Sequence, residues 1–176
     1  MSTSSSPDGS AGGEPRWLDD AEQQAWRNLV SLLHLLPLAL DRQLQADAGL
    51  PHAYYLILAM LSEAPDRSLR MSQLAQVTSG SQSRLSHSVS RLEERGWVER
   101  RRYPGDRRGQ LAVLTDAGYA VLVEAAPGHV AEVRRRVFDA LTPEQVAQLS
   151  EITGVLATGM SDELGLPRPG GPDPAC

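Results

Sequence analysis

The chain contains no lysine: all 17 of its basic residues are arginine. Arginine is the better residue for phosphate and guanine recognition, but the absence runs through the whole sequence and reads as the mark of a GC-rich genome. There is a single cysteine, Cys176, in the Pro- and Gly-rich stretch GLPRPGGPDPAC. One thiol excludes an intrachain disulfide framework and any cysteine-based metal cluster. A redox-sensing thiolate needs a fixed stabilising environment, which a disordered tail does not offer. No apolar run reaches the ~18 residues a membrane span needs; the longest, Leu29 to Leu40, is broken by Ser31, His34 and Pro37. The opening MSTSSSPDGSAGGEP has neither the basic nor the apolar region of a secretory signal, so a cytoplasmic protein is expected. Nucleophile-elbow and phosphate-loop patterns are missing. The four histidines, His34, His52, His87 and His129, include no ligand-spaced pair. These absences argue against an enzyme, a membrane protein and a metal site, and no cofactor is expected.

What is present is an uneven charge. The 176 residues carry a formal net charge of −5. Yet seven arginines fall within the eighteen residues from Arg91 to Arg108. From Arg84 to Arg108 eight arginines face four carboxylates, a local +4, while the remaining nine face eighteen, −9. A solvated helix face would interleave the signs. A run such as VERRRYPGDRRG is less mixed than that and suits a docking surface for a polyanion on an otherwise acidic body.

A hydrophobic content of 41 % fits one soluble domain with extensions. Residues 1–16 and 165–176 read as disordered tails. The stretch from about Leu18 to Gln45 reads as one long helix, apolar on more than one face and so expected to be buried on several sides, with Pro37 expected to kink it. In a chain of this size that points to a dimer interface. A helix from about Pro51 to Glu63 follows, then a short helix capped by Ser72 and a second one from about Ser81 to Arg95 with the apolar stripe Leu85, Val89 and Leu92. Gly96 is placed to end it. WVERRRY and GQLAVLT read as two strands around the turn PGDRRG. Thr115 is placed to cap a helix interrupted at Pro127-Gly128, and LTPEQ is a capping box opening a last helix to about Leu164, with Val146, Leu149, Ile152 and Leu156 on one face. The fold class is therefore mainly α with a small β-wing: a winged helix-turn-helix core over 51–115, flanked by dimerisation helices over 17–46 and 116–164.

The second helix of such a unit enters the major groove of DNA. Opposite its apolar stripe stand Ser83, His87, Ser90 and Glu94, with Arg84 and Arg91 alongside and Ser81 and Gln82 at the helix start. Arg can bond a guanine edge through two donors, Gln an adenine, and Ser and His either bases or phosphates. The hairpin tip adds Asp106, Arg107 and Arg108. An arginine held out on a wing suits a narrow, electronegative minor groove, and Asp106 can fix its direction. Arg70 and Arg101 flank the unit as phosphate contacts. A solvated face, or a wing that docks protein, remains the competing reading of the same residues.

The segment LAQVTSGSQSRLSHSVSRLEERGWVERRRYPGDRRGQLAVLTDAG, with Asp106-Arg107-Arg108 followed by Leu114-Thr115-Asp116-Ala117-Gly118, resembles the winged helix-turn-helix of the MarR family of transcriptional regulators. ALTPEQ, Ala140 to Gln145, resembles the start of that family's last helix. The resemblance implies a homodimer joined through its N- and C-terminal helices. It implies binding to pseudo-palindromic double-stranded DNA, most often as a repressor. Arg108 would be the minor-groove arginine, Asp106 its orienting partner, and Arg107 an extra residue able to touch phosphate. It also implies release by a small, often aromatic effector, for which Trp26, His34, Leu38, Tyr54, Tyr55 and Leu58 are the candidate lining; packing in the core is the other role open to the same side chains.

Overall fold

The structure, a computed structural model, describes residues 15–78, 82–103 and 109–166. The chain divides into two compact units, one to Leu35 and one from Leu36 onward. Helix α1, Asp20–Ala48, belongs to both and contains Pro37 without ending there. In the first unit, Asp19 and Glu22 form a reciprocal start to α1. The Asp19 carboxylate accepts from the Glu22 N–H at 2.8 Å, and the Glu22 carboxylate accepts from the Asp19 N–H at 2.9 Å. Two acids at a helix start also complement the positive end of its dipole. Trp26, Leu32, Leu33 and Leu35 are exposed there.

The second unit holds the core. After α1 come α2 (His52–Glu63), a single 3-10 turn, strand β1 (Ser68–Arg70), α3 (Met71–Val77), α4 (Gln82–Glu94), β2 (Val98–Arg102), β3 (Gln110–Leu114), α5 (Asp116–Val133), a π turn over Arg134–Phe138, and α6 (Pro143–Leu164). The sheet is antiparallel in the order β1-β3-β2. β2 and β3 pair from Val98↔Leu114 to Arg102↔Gln110, as the hairpin pattern predicts. Leu58, Leu61, Leu74, Val89 and Leu92 are fully buried, and Leu85, Val98, Ala112 and Leu114 close around them. At about 25 cal/mol per Å2 of apolar area, this cluster under α4 sets how firmly that helix is seated.

Three local expectations change. β1 is new: three residues are too few to show a period of two, yet Leu69 pairs with Ala112 and Arg70 with Leu111. That strand moves the start of α3. Arg70, still extended, is the capping position, and the Gln73 side-chain oxygen accepts its N–H at 3.0 Å; Ser72 already lies inside the helix. Pro127-Gly128 does not interrupt α5, which runs through both residues. A proline inside a helix costs about 3 kcal/mol. Packing on both sides of it offsets the loss, with Leu122 and Ala125 buried before it and the His129 ring 4.2 Å from that of Tyr55 after it. Gly128 serves close approach here rather than a turn: a Cβ there would sit 3.2 Å from the Gln43 amide nitrogen and 3.4 Å from the Asp47 carboxylate on α1.

The helix starts and stops otherwise follow the sequence. Gly96 has φ 72°, a conformation glycine adopts without steric cost, and α4 ends just before it. Thr142 and Gln145 make the reciprocal capping box of α6. Beyond these, Asp66 and Arg67 both have φ 51°, a region costly for residues with a Cβ. Arg67 is anchored by an ion pair to Asp116 at 3.1 Å and by stacking over the Tyr119 ring at 4.0 Å.

Candidate nucleic-acid interface

α4 stands on its apolar stripe. Leu85, Val89 and Leu92 are buried, at i, i+4 and i+7, while Gln82, Ser83, Arg84, His87 and Arg91 are exposed. The burial pattern therefore turns these residues outward together, whereas Ser90, expected on the same face, is half-buried. Ser81, beside them in sequence, lies outside the described residues, as do Asp106, Arg107 and Arg108.

The base of the wing is visible up to its last strand pair. The Tyr103 N–H donates to the Gly109 carbonyl at 2.9 Å, closing the hairpin beyond Arg102↔Gln110. The Arg70 guanidinium stacks over the Tyr103 ring at 3.7 Å, so this candidate phosphate contact is stationed at the wing's root. Arg101 is exposed and pairs with Glu99 at 2.9 Å; Arg91 is exposed and pairs with Glu94 at 2.8 Å. Exposed pairs of this kind contribute little, about 0–1 kcal/mol, so both guanidinium groups are cheaply turned toward a phosphate.

One arginine that the sequence reading did not single out is differently placed. Arg100, on β2, reaches back to α4. Its guanidinium lies 3.1 Å from the Glu93 carboxylate and donates to the Ser86 carbonyl at 2.7 Å and to the Ser90 hydroxyl at 3.1 Å. The available signal was the spacing of Glu93 and Arg100 across the helix-to-strand turn, which sequence periodicity does not expose.

The candidate effector residues fall in both units. Trp26 and His34 are in the first, where His34 Nδ1 is 2.7 Å from the Val30 carbonyl. Leu38, Tyr54, Tyr55 and Leu58 are in the second; Leu38 is exposed, Tyr54 half-buried, and Tyr55 and Leu58 are buried in the core. Next to Tyr55 lies a histidine pair, His52 on α2 and His129 on α5, with ring centres 5.7 Å apart. Burial holds both imidazoles below their ordinary pKa. The Asp41 carboxylate opposes this at His52, and His52 adds to it at His129.

A buried group whose folded pKa is lowered binds fewer protons folded than unfolded. The stability it supports is complete above the unfolded value of about 6.5 and declines as pH falls through it, levelling below the folded value. Urea unfolding midpoints are therefore expected to fall between pH 7.5 and 5.5, and to fall less for His129→Gln. Equal losses in the two proteins would remove His129 from the account. Among the described residues no group of three His, Cys, Asp or Glu is placed to hold a metal ion, and no helix is long and apolar enough to cross a membrane.

The comparison with known proteins agrees with this geometry. A profile described as MarR family matches residues 48–109, the span from the end of α1 to the wing. The crystal structure of Sco3205, a MarR family transcriptional regulator from Streptomyces coelicolor, in complex with DNA, is 54 % identical, covers 84 % of this chain and 92 % of its own, and superposes with a TM-score of 0.78. AbsC, a MarR family transcriptional regulator from the same organism, is 41 % identical with a TM-score of 0.77, over 84 % of this chain and 99 % of its own. The transcriptional repressor MprA of Escherichia coli (strain K12) is 29 % identical over 113 residues, 64 % of this chain; the chain spans 63 % of that repressor's length. With an outward polar helix, a paired wing and these relatives, the chain belongs to the MarR family of transcriptional regulators.

Proposed function

We propose that this protein is a homodimeric, sequence-specific DNA-binding regulator, a repressor acting at pseudo-palindromic operators and released by a small aromatic effector. The observation that carries the reading is the outward face of α4, where Gln82, Ser83, Arg84 and His87 stand together at the start of a helix firmly seated on its core side. Groups of this kind read base edges in a major groove. The dimer is supported by apolar surface left uncovered in one chain: Ile152, Val155, Leu156, Met160 and Leu164 on α6, and separately Leu32, Leu33 and Leu35 on α1, are exposed. Contiguous apolar surface of this kind marks an interface. Residues 51–115 are then the DNA-binding domain, and 17–46 with 116–164 the dimerisation helices. The repressor assignment leans on the repressor among the relatives, and DNA as partner on the complex formed by Sco3205.

The mechanism is geometric. Two recognition helices in one dimer reach successive major grooves about one helical turn, ~34 Å, apart. An effector that binds better to a dimer with another spacing lowers DNA affinity by that difference in binding free energy. In the second unit Leu38, Tyr54, Tyr55 and Leu58 are the residues proposed for it, Tyr55 and Leu58 from the core side.

Binding to genomic DNA fragments, followed by sequencing, tests the reading: one palindromic sequence should be enriched. Affinity for that sequence should fall steeply between about 50 and 200 mM salt, with a log–log slope of about −0.9 for each phosphate engaged. A folded dimer that enriches nothing, or whose affinity ignores salt, would reject it.

A further inference from the structure

We infer that Arg100 is a positioning residue: it sets the rotation of α4 about its own axis, and through it the selectivity for DNA sequence, without touching DNA. The inference rests on the reading of α4 as the recognition helix.

The apolar stripe alone leaves that rotation loosely defined. Contacts of Leu85, Val89 and Leu92 with the core are non-directional, and a helix on such a stripe can roll by some degrees at little cost. Hydrogen bonds to a planar fork are directional. The Arg100 guanidinium meets the Glu93 carboxylate at 3.1 Å, the Ser86 carbonyl at 2.7 Å, the Ser86 hydroxyl at 3.3 Å and the Ser90 hydroxyl at 3.1 Å. The second oxygen of Glu93 accepts the backbone N–H of Arg100 at 2.9 Å. The Ser90 hydroxyl in turn donates to the Ser86 carbonyl at 3.0 Å. Three residues from two turns of α4 are thus tied to one residue of β2, the strand that leads into the wing. Helix and wing are held by one side chain.

Its surroundings separate Arg100 from its neighbours. The side chains of Arg100 and Glu93 are 22 % and 29 % exposed, against 63 % and 55 % for Arg101 and Glu99. Arg101 can swing to a phosphate. Arg100 would have to take its guanidinium from every acceptor above and leave the half-buried Glu93 carboxylate without its cation, held by the Arg100 backbone N–H alone, which is costly. Among the described residues of the basic segment, Arg100 has its guanidinium tied back onto α4.

The prediction separates positioning from phosphate contact. The full-length protein is used to select from a random-sequence duplex library, and affinity is measured for the enriched duplex and a scrambled one. For R100K and R100Q the ratio of the two affinities is expected to fall about tenfold, the effect of one badly presented base contact. Their salt slopes should match wild type. A phosphate contact behaves otherwise: lysine substitutes for it as a point charge, and glutamine weakens both duplexes alike while reducing the slope by about 1 per half-site. Either result overturns the inference, as does an unchanged ratio in R100Q. If both variants unfold by circular dichroism, E93Q, which keeps the serine bonds, decides: the same loss of selectivity in smaller measure supports positioning, and a wild-type ratio overturns it. A folded wild-type dimer that enriches no sequence defeats the recognition-helix reading itself, and the inference with it.

Discussion

Replacing Gly118 with alanine is expected to destabilise the fold by about 3 kcal/mol, the upper end of overpacking costs. Taken on propensity alone the change should help, since alanine gains about 1 kcal/mol over glycine inside a helix. The packing decides against it. A Cβ at position 118 would overlap the backbone carbonyl oxygen of Trp97 and sit 2.8 Å from Leu114 Cδ1. That carbonyl cannot turn away freely, because it accepts the Thr115 N–H at 3.1 Å. Thr115 is itself pinned, its hydroxyl donating to the Gly96 carbonyl at 2.7 Å and accepting the Gly118 N–H at 3.0 Å. The first turn of α5 therefore rests on the turn that joins α4 to β2. Chemical denaturation should show a lower midpoint with an unchanged m-value, and the melting temperature should drop by about 10 °C, at 2–4 °C per kcal/mol for a protein of this length. A midpoint equal to or above wild type would mean that α5 moves aside without loss, and that the Leu-Thr-x-x-Gly pattern has another reason.

That pattern shows why some of this fold was legible in sequence. As helix ends, Thr115, Thr142 and Gly96 act on groups within three or four residues, and local side-chain chemistry announces such caps. The Leu85/Val89/Leu92 stripe was legible because burial repeats with the helix, and the outward face of α4 followed from it. The misread places share a different cause. β1 exists because β3 supplies a partner more than forty residues later. Pro127-Gly128 carries the chemistry of a turn, and only the nearness of Gln43 and Asp47 shows that the glycine makes room for another helix. Arg100 looked like one charge in a basic run. Its partners lie 7, 10 and 14 residues away and on another element, a separation with no period to detect. The candidate site was thus legible where it faces outward and hidden where it is held in place.

The wing arginines carry the second large effect. β2 and β3 stay paired to Arg102↔Gln110, and the Tyr103–Gly109 bond continues the hairpin one step further. Whatever the residues between them reach is therefore reached from a firm base. Arg107 and Arg108 are adjacent, and the proposed roles differ. An arginine inserted in a minor groove reads groove width, and so sequence; one resting on phosphate reads charge alone. Arg108→Ala should weaken binding to the selected operator by about 1–3 kcal/mol per half-site, with a smaller loss on scrambled DNA. Arg107→Ala should weaken both alike and reduce the salt slope by about 1 per half-site. Fluorescence anisotropy on the two duplexes at several salt concentrations reads all four quantities. Exchanged signatures would assign the groove to Arg107. Indistinguishable ones would show that the wing contributes charge without sequence, leaving α4, in the orientation Arg100 holds, to carry the discrimination alone.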